Sequence, residues 1–258
     1  MKHIARFVRM SCFHIRELAR TSYFLELVLS ATLATALIQL LALNAWGGQP
    51  WVGFIRTIAI GMWTVTVTAS GILGFERVKG TLVFLAHSRL GTFAGIAPSI
   101  TACATFGLLA IPISAAIWFF PGAVRTLPTP QVFPTFRWNQ CLLCVLGALL
   151  LWLSLVVMSY IIAVVFLATP HALVYEGLLL VPLIALSGIF DISLGGTSLS
   201  QWSRFFVPSA GSVRFLMDFQ LLDAALCVVV CVVWLIAAKM IVRRTASLAR
   251  KNATIELV

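Results

Sequence analysis

Charge is the first thing that this sequence lacks. Lys, Arg, Asp and Glu together make up 10% of the 258 residues, and Asp and Glu contribute only 8. A typical soluble domain is about one quarter charged, so this chain cannot cover itself with a solvated surface. Hydrophobic residues fill 61% of it, in runs that repeatedly approach the ~20 residues needed to cross a bilayer. The composition excludes a water-soluble protein and predicts an all-α membrane protein.

A nucleotide-binding motif is also missing. No segment matches G-x-x-x-x-G-K-[ST], and the nearest one, from Gly74 to Thr81, has the wrong spacing and no Lys-Ser/Thr ending. The chain is therefore not expected to hydrolyse ATP by itself.

Catalytic and metal-binding clusters are missing too. An intramembrane protease needs a nucleophile and a base at matched depth, but the four histidines fall in tails or loops: His3, His14, His87 and His171. Two cysteine pairs share a helical face, Cys141 with Cys144 and Cys227 with Cys231, but no His is close to them in sequence. We therefore expect no catalytic residue, no metal and no enzyme activity in this chain.

Six apolar segments are predicted to be transmembrane helices, each bounded by charges, glycines or prolines. The fifth is the shortest and contains Pro182 and Gly188. Residues 191–219 have no clean period and are compatible with a segment that enters the membrane and returns, which requires protein to shield its backbone. The predicted transmembrane domain covers residues 21–242, with spans at 23–43, 51–75, 93–120, 141–167, 173–190 and 221–240.

The basic residues predict the orientation. With the N-terminus inside, 13 of the 18 Lys and Arg are cytoplasmic, and five fall outside: Arg56, Arg125, Arg137, Arg204 and Arg214. This positive-inside bias predicts two cytoplasmic termini in an inner (plasma) membrane, with residues 243–258 as a basic cytoplasmic tail. The net charge of +10 thus indicates membrane topology and not a nucleic acid partner. An aromatic belt is expected near the outer interface, formed by Trp46, Trp51, Trp118, Trp138 and Trp202.

Residues 1–20 are predicted to form an amphipathic interfacial helix. Its basic arc contains Lys2, Arg6, Arg9, Arg16 and Arg20, and its apolar arc contains Ile4, Phe7, Val8, Ser11, Ile15 and Leu18. Such a helix lies in the membrane plane, with its basic side toward lipid phosphates or a partner's acidic surface. A signal peptide is the alternative, but the apolar run that follows is too long for one.

A charged and then amphipathic loop joins the second and third predicted spans. It runs from Phe75 to Arg89 with the sequence FERVKGTLVFLAHSR. Leu82, Leu85 and Ala86 recur at helical spacing and form an apolar face for a partner, whereas charged residues before them can fix the register. An ordinary solvated loop with positive charge is the alternative.

This loop resembles the cytoplasmic coupling helix of ABC-2 type transporter permeases, whose pattern is roughly acidic-basic-x-x-Gly-Thr-Leu-x-x-Leu-x-x-Ser-Pro. Arg89 stands where that family usually has Pro, and Lys79 where it often has an acidic residue. The general plan, with a basic N-terminal helix, six spans and an irregular segment before the last one, is similar as well. The residues that match the family pattern are Glu76, Arg77, Gly80, Thr81, Leu82, Leu85 and Ser88.

The resemblance implies the permease subunit of an ATP-driven exporter. The matching residues together with Lys79 would bind an ABC ATPase subunit, which would carry the ATP and Mg. A second permease copy or a homologous permease would complete the pathway within membrane lipid. The cargo would be a drug, a peptide or a lipid-like molecule.

Glu26, Ser187 and Gly188 are the candidate pathway residues. Glu26 lies about one turn inside the first span, where a charge is costly unless it is functional or paired; snorkelling of a helix end is an equal explanation. Ser187 and Gly188 belong to a Ser-Gly-aromatic stretch that the resemblance includes. Two alternative functions stay open: an ion-coupled secondary transporter, which Pro112 and Pro182 support weakly, and a structural subunit of a membrane complex.

Overall fold

The computed structural model describes residues 2–78, 92–119, 138–168, 172–190, 193–194 and 197–251. Within these ranges the chain is mainly helical, with one short antiparallel ribbon of β1 (Ser193–Leu194) and β2 (Thr197–Ser198). The helices are α1 (Lys2–Leu18), α2 (Tyr23–Trp46), α3 (Pro50–Val78), α4 (Thr92–Phe106), α5 (Ala110–Phe119), α6 (Trp138–Ala168), α7 (Ala172–Leu186), α8 (Leu199–Ser203), α9 (Pro208–Asp218) and α10 (Leu221–Lys251). A single 3-10 turn, Gly107–Leu109, joins α4 to α5.

Five helical segments in the described part are long and apolar enough to cross a membrane. They correspond to the first, second, third, fourth and sixth predicted spans, so the prediction of a multi-pass helical membrane protein is confirmed. Their bounds are Tyr23–Trp46, Pro50–Gly71, Gly95–Phe119, Gln140–Val165 and Leu221–Arg244. Helix α10 extends well beyond its predicted span, to Lys251, and α2, α3 and α6 exceed theirs by a few residues.

The fifth predicted span, residues 173–190, coincides with the shorter helix α7. This helix has 15 residues and ends at Leu186, so it is about 22 Å long and does not match the ~30 Å hydrocarbon core by itself. It ends there because Ser187 forms a tight turn onto the Ile184 carbonyl and Gly188 has a φ of 77°, a backbone conformation outside the right-handed helix.

Contacts at the starts of three helices define one end of the bundle, which we call the hairpin end. The indole Nε1 of Trp51, at the start of α3, donates to the carbonyl of Leu216 on α9 at 3.1 Å. Gly147 in the first part of α6 packs on Leu216 as well, and Asp223 at the start of α10 contacts Arg214 of α9. These three helices therefore run in the same direction, away from the hairpin end.

The opposite end, which we call the terminal end, carries both ends of the described chain. Since α2 joins α3 through only three residues, the two helices are antiparallel and α2 begins at the terminal end. Trp118, near the end of α5, packs on Gly53, so α4 begins there too, and α1 packs against α4. Because α10 runs away from the hairpin end, Lys251 also lies at the terminal end.

Helices α8 and α9 form a hairpin, residues 199–218, that enters the bundle from the hairpin end and returns. Trp234, which lies 13 residues beyond Leu221 and so about 20 Å along α10, donates its indole N–H to the carbonyl of Phe206 at 2.8 Å. The turn between the two helices thus reaches about half-way down the apolar part of α10. Nearly all of α9 is buried, from Pro208 to Leu216, against α6 and α10, so protein shields its backbone as such a segment requires.

Small residues allow the helices to approach closely. A Cβ at Gly61 of α3 would lie 2.6 Å from Thr32 Oγ1 of α2 and 2.9 Å from Ala110 Cβ of α5, so only glycine fits. Close backbone approach at small residues is the usual way in which membrane helices gain packing contacts. Close packing makes α3 the central helix of the bundle. Of its most apolar 18-residue stretch 61% is buried, against 22% for α2 and 28% for α10.

Two of the five predicted belt tryptophans belong to the core. Trp51 is 8% exposed and Trp118 is 1% exposed, and Trp118 donates its indole N–H to Thr57 Oγ1 at 3.2 Å. Trp46 and Trp202 are exposed, as a belt requires, and the side chain of Trp138 lies outside the described part. The interpretation of Trp51 and Trp118 as belt residues was wrong because each finds an apolar partner and a hydrogen-bond acceptor inside the bundle.

The N-terminal helix has three separate faces. Phe7, Ser11 and Leu18 turn toward the protein, with Ser11 buried and the other two packed on the core. Ile4 and Val8, which belong to the same predicted apolar arc, are exposed, and the basic arc forms the third face. The apolar arc is therefore divided between the protein and an outward surface.

Candidate functional site: a buried arginine and aspartate cluster

The predicted coupling residues fall largely outside the described part. Glu76 and Arg77 have backbones in the last turn of α3, and their side chains are not described. The remaining members lie in the interval between α3 and α4 that is not described: Lys79, Gly80, Thr81, Leu82, Leu85 and Ser88. Their assignment stays a prediction.

The three candidate pathway residues are not brought together. Glu26 lies in the first turn of α2, at the terminal end, with an exposed side chain. Ser187 is buried near the hairpin end, where its hydroxyl donates to the Ile184 carbonyl at 2.5 Å. A Cβ at Gly188 would lie 3.3 Å from Ser200 Cβ. The turn at Ser187 and Gly188 thus ends α7 and packs its end against Ser200 of α8.

Two described arginines instead contact a buried carboxylate, that of Asp223. This carboxylate is fully buried near the start of α10, with 0% of its side chain exposed. Arg204, in the turn after α8, places Nη1 2.9 Å from Oδ1, and Arg214 of α9 places Nε 3.7 Å from Oδ2. Arg214 Nη2 also lies 3.9 Å from Oδ2 of Asp218, whose side chain is 49% exposed. One buried anion thus faces two largely buried cations.

Local structure explains why these side chains meet. Asp223 stands in the first turn of its helix, where the helix dipole favours a negative charge. Gly211 lets α9 approach α10, because a Cβ there would lie 3.0 Å from the Asp223 carbonyl oxygen and 3.1 Å from Cys227 Cβ. The guanidinium of Arg204 is further held over the ring of Phe205, 5.0 Å from its centroid.

A third arginine fixes the neighbouring turn. Arg56 of α3 donates its Nε–H to the carbonyl of Ile189 at 2.9 Å, directly after the turn that ends α7. Together with Trp51 and its bond to Leu216, this contact joins α3 to both segments that flank the ribbon. The hydrogen bonds and ion pairs that join α3, α7, α9 and α10 therefore lie mainly at the hairpin end.

The arrangement can fix the position of the α8–α9 hairpin on α10. Removing two charges from water is costly, and their attraction offsets that cost only when the geometry is good and the remaining polar atoms are satisfied. The 2.9 Å contact of Arg204 meets this requirement, whereas the 3.7 Å contact of Arg214 does not close to a hydrogen bond. The hairpin is therefore held tightly on one side of Asp223 and loosely on the other.

From the sequence, Arg204 and Arg214 were assigned only as charges outside the membrane, and Asp223 was not linked to either of them. A signal was available: in a chain with 8 acidic residues, an acid inside an apolar helix needs a partner. Two arginines lie within the 20 residues that precede it. Sequence spacing alone did not show that the intervening segment returns to α10.

Fold and site define the class of the protein as a multi-pass α-helical membrane protein with a charged cluster at a hairpin that enters its bundle. Comparison with protein-family models, with curated proteins and with solved structures found no match.

Proposed function

We propose that this chain is the permease subunit of an ABC-2-like ATP-driven exporter. The observation that carries the proposal is the spacing of Glu76, Gly80, Thr81 and Leu82 in the loop after α3. A coupling element must be short, stiff and docked, and an apolar face flanked by charges meets that need. The chain supplies the membrane pathway, and a separate ATPase supplies ATP hydrolysis, since no Walker A sequence is present.

The position of this loop in the fold supports the proposal. It joins the end of α3 to the start of α4, and both of these points lie at the terminal end of the bundle. The basic segments at the two ends of the chain lie at the same end. Under the positive-inside rule that end is cytoplasmic, which is where an ATPase would dock.

Six crossings are part of the proposal. Helix α6 runs toward the terminal end and α10 starts at the hairpin end. The segment between them therefore has to cross from the terminal end back to the hairpin end. Helix α7 lies in that segment and packs against both α3 and α6. We infer that α7, although short, provides the sixth crossing together with the turn through Ile189.

Accessibility reporters test the topology. Single cysteines at Arg125 and Arg137 should react with an impermeant thiol reagent added outside intact cells, and cysteines at Lys79 and Arg250 should react only after permeabilisation. Labelling at Lys79 from outside would refute the orientation.

Loop variants test the coupling. Truncation of a buried apolar anchor commonly costs more than ~1 kcal/mol of binding, so Leu82→Ala with Leu85→Ala should weaken ATPase binding by about 30-fold or more. Leu221→Ala with Leu222→Ala is the matched control, because those leucines are exposed at the opposite end. Where a neighbouring reading frame encodes an ABC ATPase, that protein is the partner in the assay, and surface abundance is measured in parallel. Unchanged binding by the loop variant would refute the proposal.

A second permease, a copy of this chain or a homologue, would complete the transport pathway. The spans carry few charges, which favours apolar or amphipathic cargo such as a drug, a peptide or a lipid-like molecule. The corresponding location is the inner (plasma) membrane.

An ion-coupled secondary transporter is the second candidate, and the buried cluster at Asp223 favours it, because ionisable groups inside spans often lie on ion pathways. Proteoliposomes that contain the purified chain alone distinguish the two. Transport driven by a proton or sodium gradient without ATPase would support the second candidate and exclude the first.

A further inference from the structure

Helix α1 presents a different chemical surface in each of three directions. Its protein side is centred on Leu18, which packs on the core together with Phe7. At about 100° per residue, Ile4 and Val8 lie about 40° and 80° from Leu18, and both are exposed. Four exposed arginines lie on the opposite side, about 160° to 240° from Leu18: Arg6, Arg9, Arg16 and Arg20. These four, called the basic arc below, point away from the bundle.

The three directions place the basic arc at the level of the lipid headgroups. An amphipathic helix at a membrane surface turns its exposed apolar side chains, here Ile4 and Val8, toward the acyl chains. The centre of the basic arc lies about 135° from these two residues, so the arginines are turned outward over the membrane surface. Phe13 lies within the arc and is 63% exposed, and an aromatic ring is favourable at headgroup level.

The last part of α10 adds basic side chains at the same end of the bundle. Val232 and Ile236 on its exposed face are followed at helical spacing by Lys239 and Arg243, which are exposed as well. Basic side chains at the end of an apolar helix extend their charges to the headgroup level. Helices α1 and α10 both pack against α4. Segments from opposite ends of the chain thus carry basic groups at the terminal end.

The two ends of the bundle differ in what balances their arginines. Both arginines of the α8–α9 hairpin contact the carboxylate of Asp223. At the terminal end, Arg20 lies 3.4 Å from the exposed Glu17. Within the described ranges no ion pair involves the other exposed basic groups of this end, which are Arg6, Arg9, Arg16, Lys239 and Arg243. Anions from outside the described chain are needed to balance them.

We propose that the basic arc and the end of α10 bind the headgroups of anionic phospholipids in the leaflet at the terminal end. Both surfaces place exposed apolar side chains directly beside the charges, Ile4 and Val8 on α1, Val232 and Ile236 on α10. A phospholipid supplies an acyl chain and an anion together, whereas an acidic protein surface in water supplies only the anion. Lipid binding of this kind requires neither an ATPase nor transport, so its test is separate from the tests of the exporter.

Two exposed native cysteines allow a comparison of the two ends. Cys12 lies on α1, between the exposed apolar pair and the basic arc, and Cys141 lies at the start of α6 at the hairpin end. In a Cys144→Ser background, Cys141→Ser leaves Cys12 for a bimane label and Cys12→Ser leaves Cys141. Each labelled full-length protein is placed in phosphatidylcholine nanodiscs with an equal fraction of brominated phosphatidylglycerol or brominated phosphatidylcholine, and the ratio of the two quenching efficiencies is measured.

Phosphatidylglycerol should quench the label at Cys12 about two-fold or more better than phosphatidylcholine, because one basic residue near an anionic surface strengthens binding about five-fold. The ratio should be close to one at Cys141. In 1 M salt, where the screening length is about 3 Å, the ratio at Cys12 should fall toward one. Equal ratios at the two cysteines would overturn the proposal and favour an acidic protein surface as the partner of the arc. A ratio at Cys12 that is insensitive to salt would overturn it too.

Charge variants assign the preference to the basic arc. Replacement of Arg6, Arg9 and Arg16 by Gln should lower the ratio at Cys12 to that at Cys141. The matched control replaces the same three residues by Lys and should keep the preference, because the headgroups respond to the charge. The assignment is wrong if the Gln variant keeps the preference, or if the Lys variant loses it equally, since the guanidinium groups would then act through the structure of α1.

The end of α10 is tested in the same way with a label at Met240→Cys, because Met240 is exposed next to Lys239. This label should show the same preference for phosphatidylglycerol as Cys12, and Lys239→Gln with Arg243→Gln should abolish it. Equal quenching by the two lipids at position 240 of the otherwise unchanged protein would exclude α10 from the lipid-binding surface.

Discussion

Removal of the charge on Asp223 is the sharpest test of the fold at the hairpin end. Asp223→Asn keeps the size of the side chain and its ability to accept a hydrogen bond, but removes the buried anion. Arg204 and Arg214, at 2.9 Å and 3.7 Å, then keep their charges without the carboxylate that compensates them. The change isolates electrostatics from packing.

The expected magnitude follows from these distances. With an effective dielectric constant of ~20, the attractions at 2.9 Å and 3.7 Å amount to about 6 and 4 kcal/mol. Desolvation offsets much of this, and breaking a buried pair costs about 3–5 kcal/mol in practice. For a chain of this size about 1 kcal/mol corresponds to 2–4 °C, so the melting temperature should fall by about 6–20 °C.

Thermal unfolding in detergent, followed by size-exclusion chromatography or intrinsic fluorescence, measures the effect. Asp218→Asn is the matched control, because Asp218 is 49% exposed and lies 3.9 Å from Arg214; exposed pairs contribute about 0–1 kcal/mol. The triple variant Asp223→Leu, Arg204→Met and Arg214→Met replaces all three charges by apolar side chains of similar size and should recover most of the loss. Equal melting temperatures for Asp223→Asn and the wild type would refute this electrostatic explanation. A triple variant with no higher melting temperature than Asp223→Asn would refute it as well.

Two further predictions concern packing and the N-terminal helix. Gly61→Ala should destabilise the protein by about 1–3 kcal/mol, because its Cβ would lie 2.6 Å from Thr32 Oγ1, whereas Gly71→Ala, with nothing within 4 Å, should be neutral or slightly stabilising; equal melting temperatures would contradict this. Ile15→Asp should loosen α1 from the protein and the membrane far more than Ser22→Asp, as measured by spin-label depth along residues 4 to 18. Labels that are fully solvated in the wild type would rule out an interfacial helix.

The helices could be predicted from the sequence where the bilayer acts on each segment separately. The runs that begin at Tyr23 and Leu221 became helices that start at those residues, because length and apolarity suffice to require a helix in lipid. The fifth span could be predicted less well, since the end of α7 depends on the turn at Ser187 and Gly188 and on its seat against Ser200, a residue from a later segment.

The candidate site could be predicted only in part. The cost of a charge inside a span selected Glu26 from the sequence, and the same argument applies to Asp223. Its partners could not be read from the chain, because Arg204 and Arg214 reach it only when α9 folds back along α10. The same limit applies to Trp51, which the belt pattern placed at the lipid interface and the structure placed against Leu216.

The sequence by itself determined that this chain is a membrane protein made of helices, and it located the five segments that are long and apolar enough to cross a bilayer, because each of these properties depends on the solvation of one segment. Only the tertiary structure decided which residues are core, where the α8–α9 hairpin enters, and which charges meet at Asp223. These depend on contacts between segments far apart in the chain, where close approach at Gly61 and Gly211 and the high cost of an unpaired buried charge select one packing.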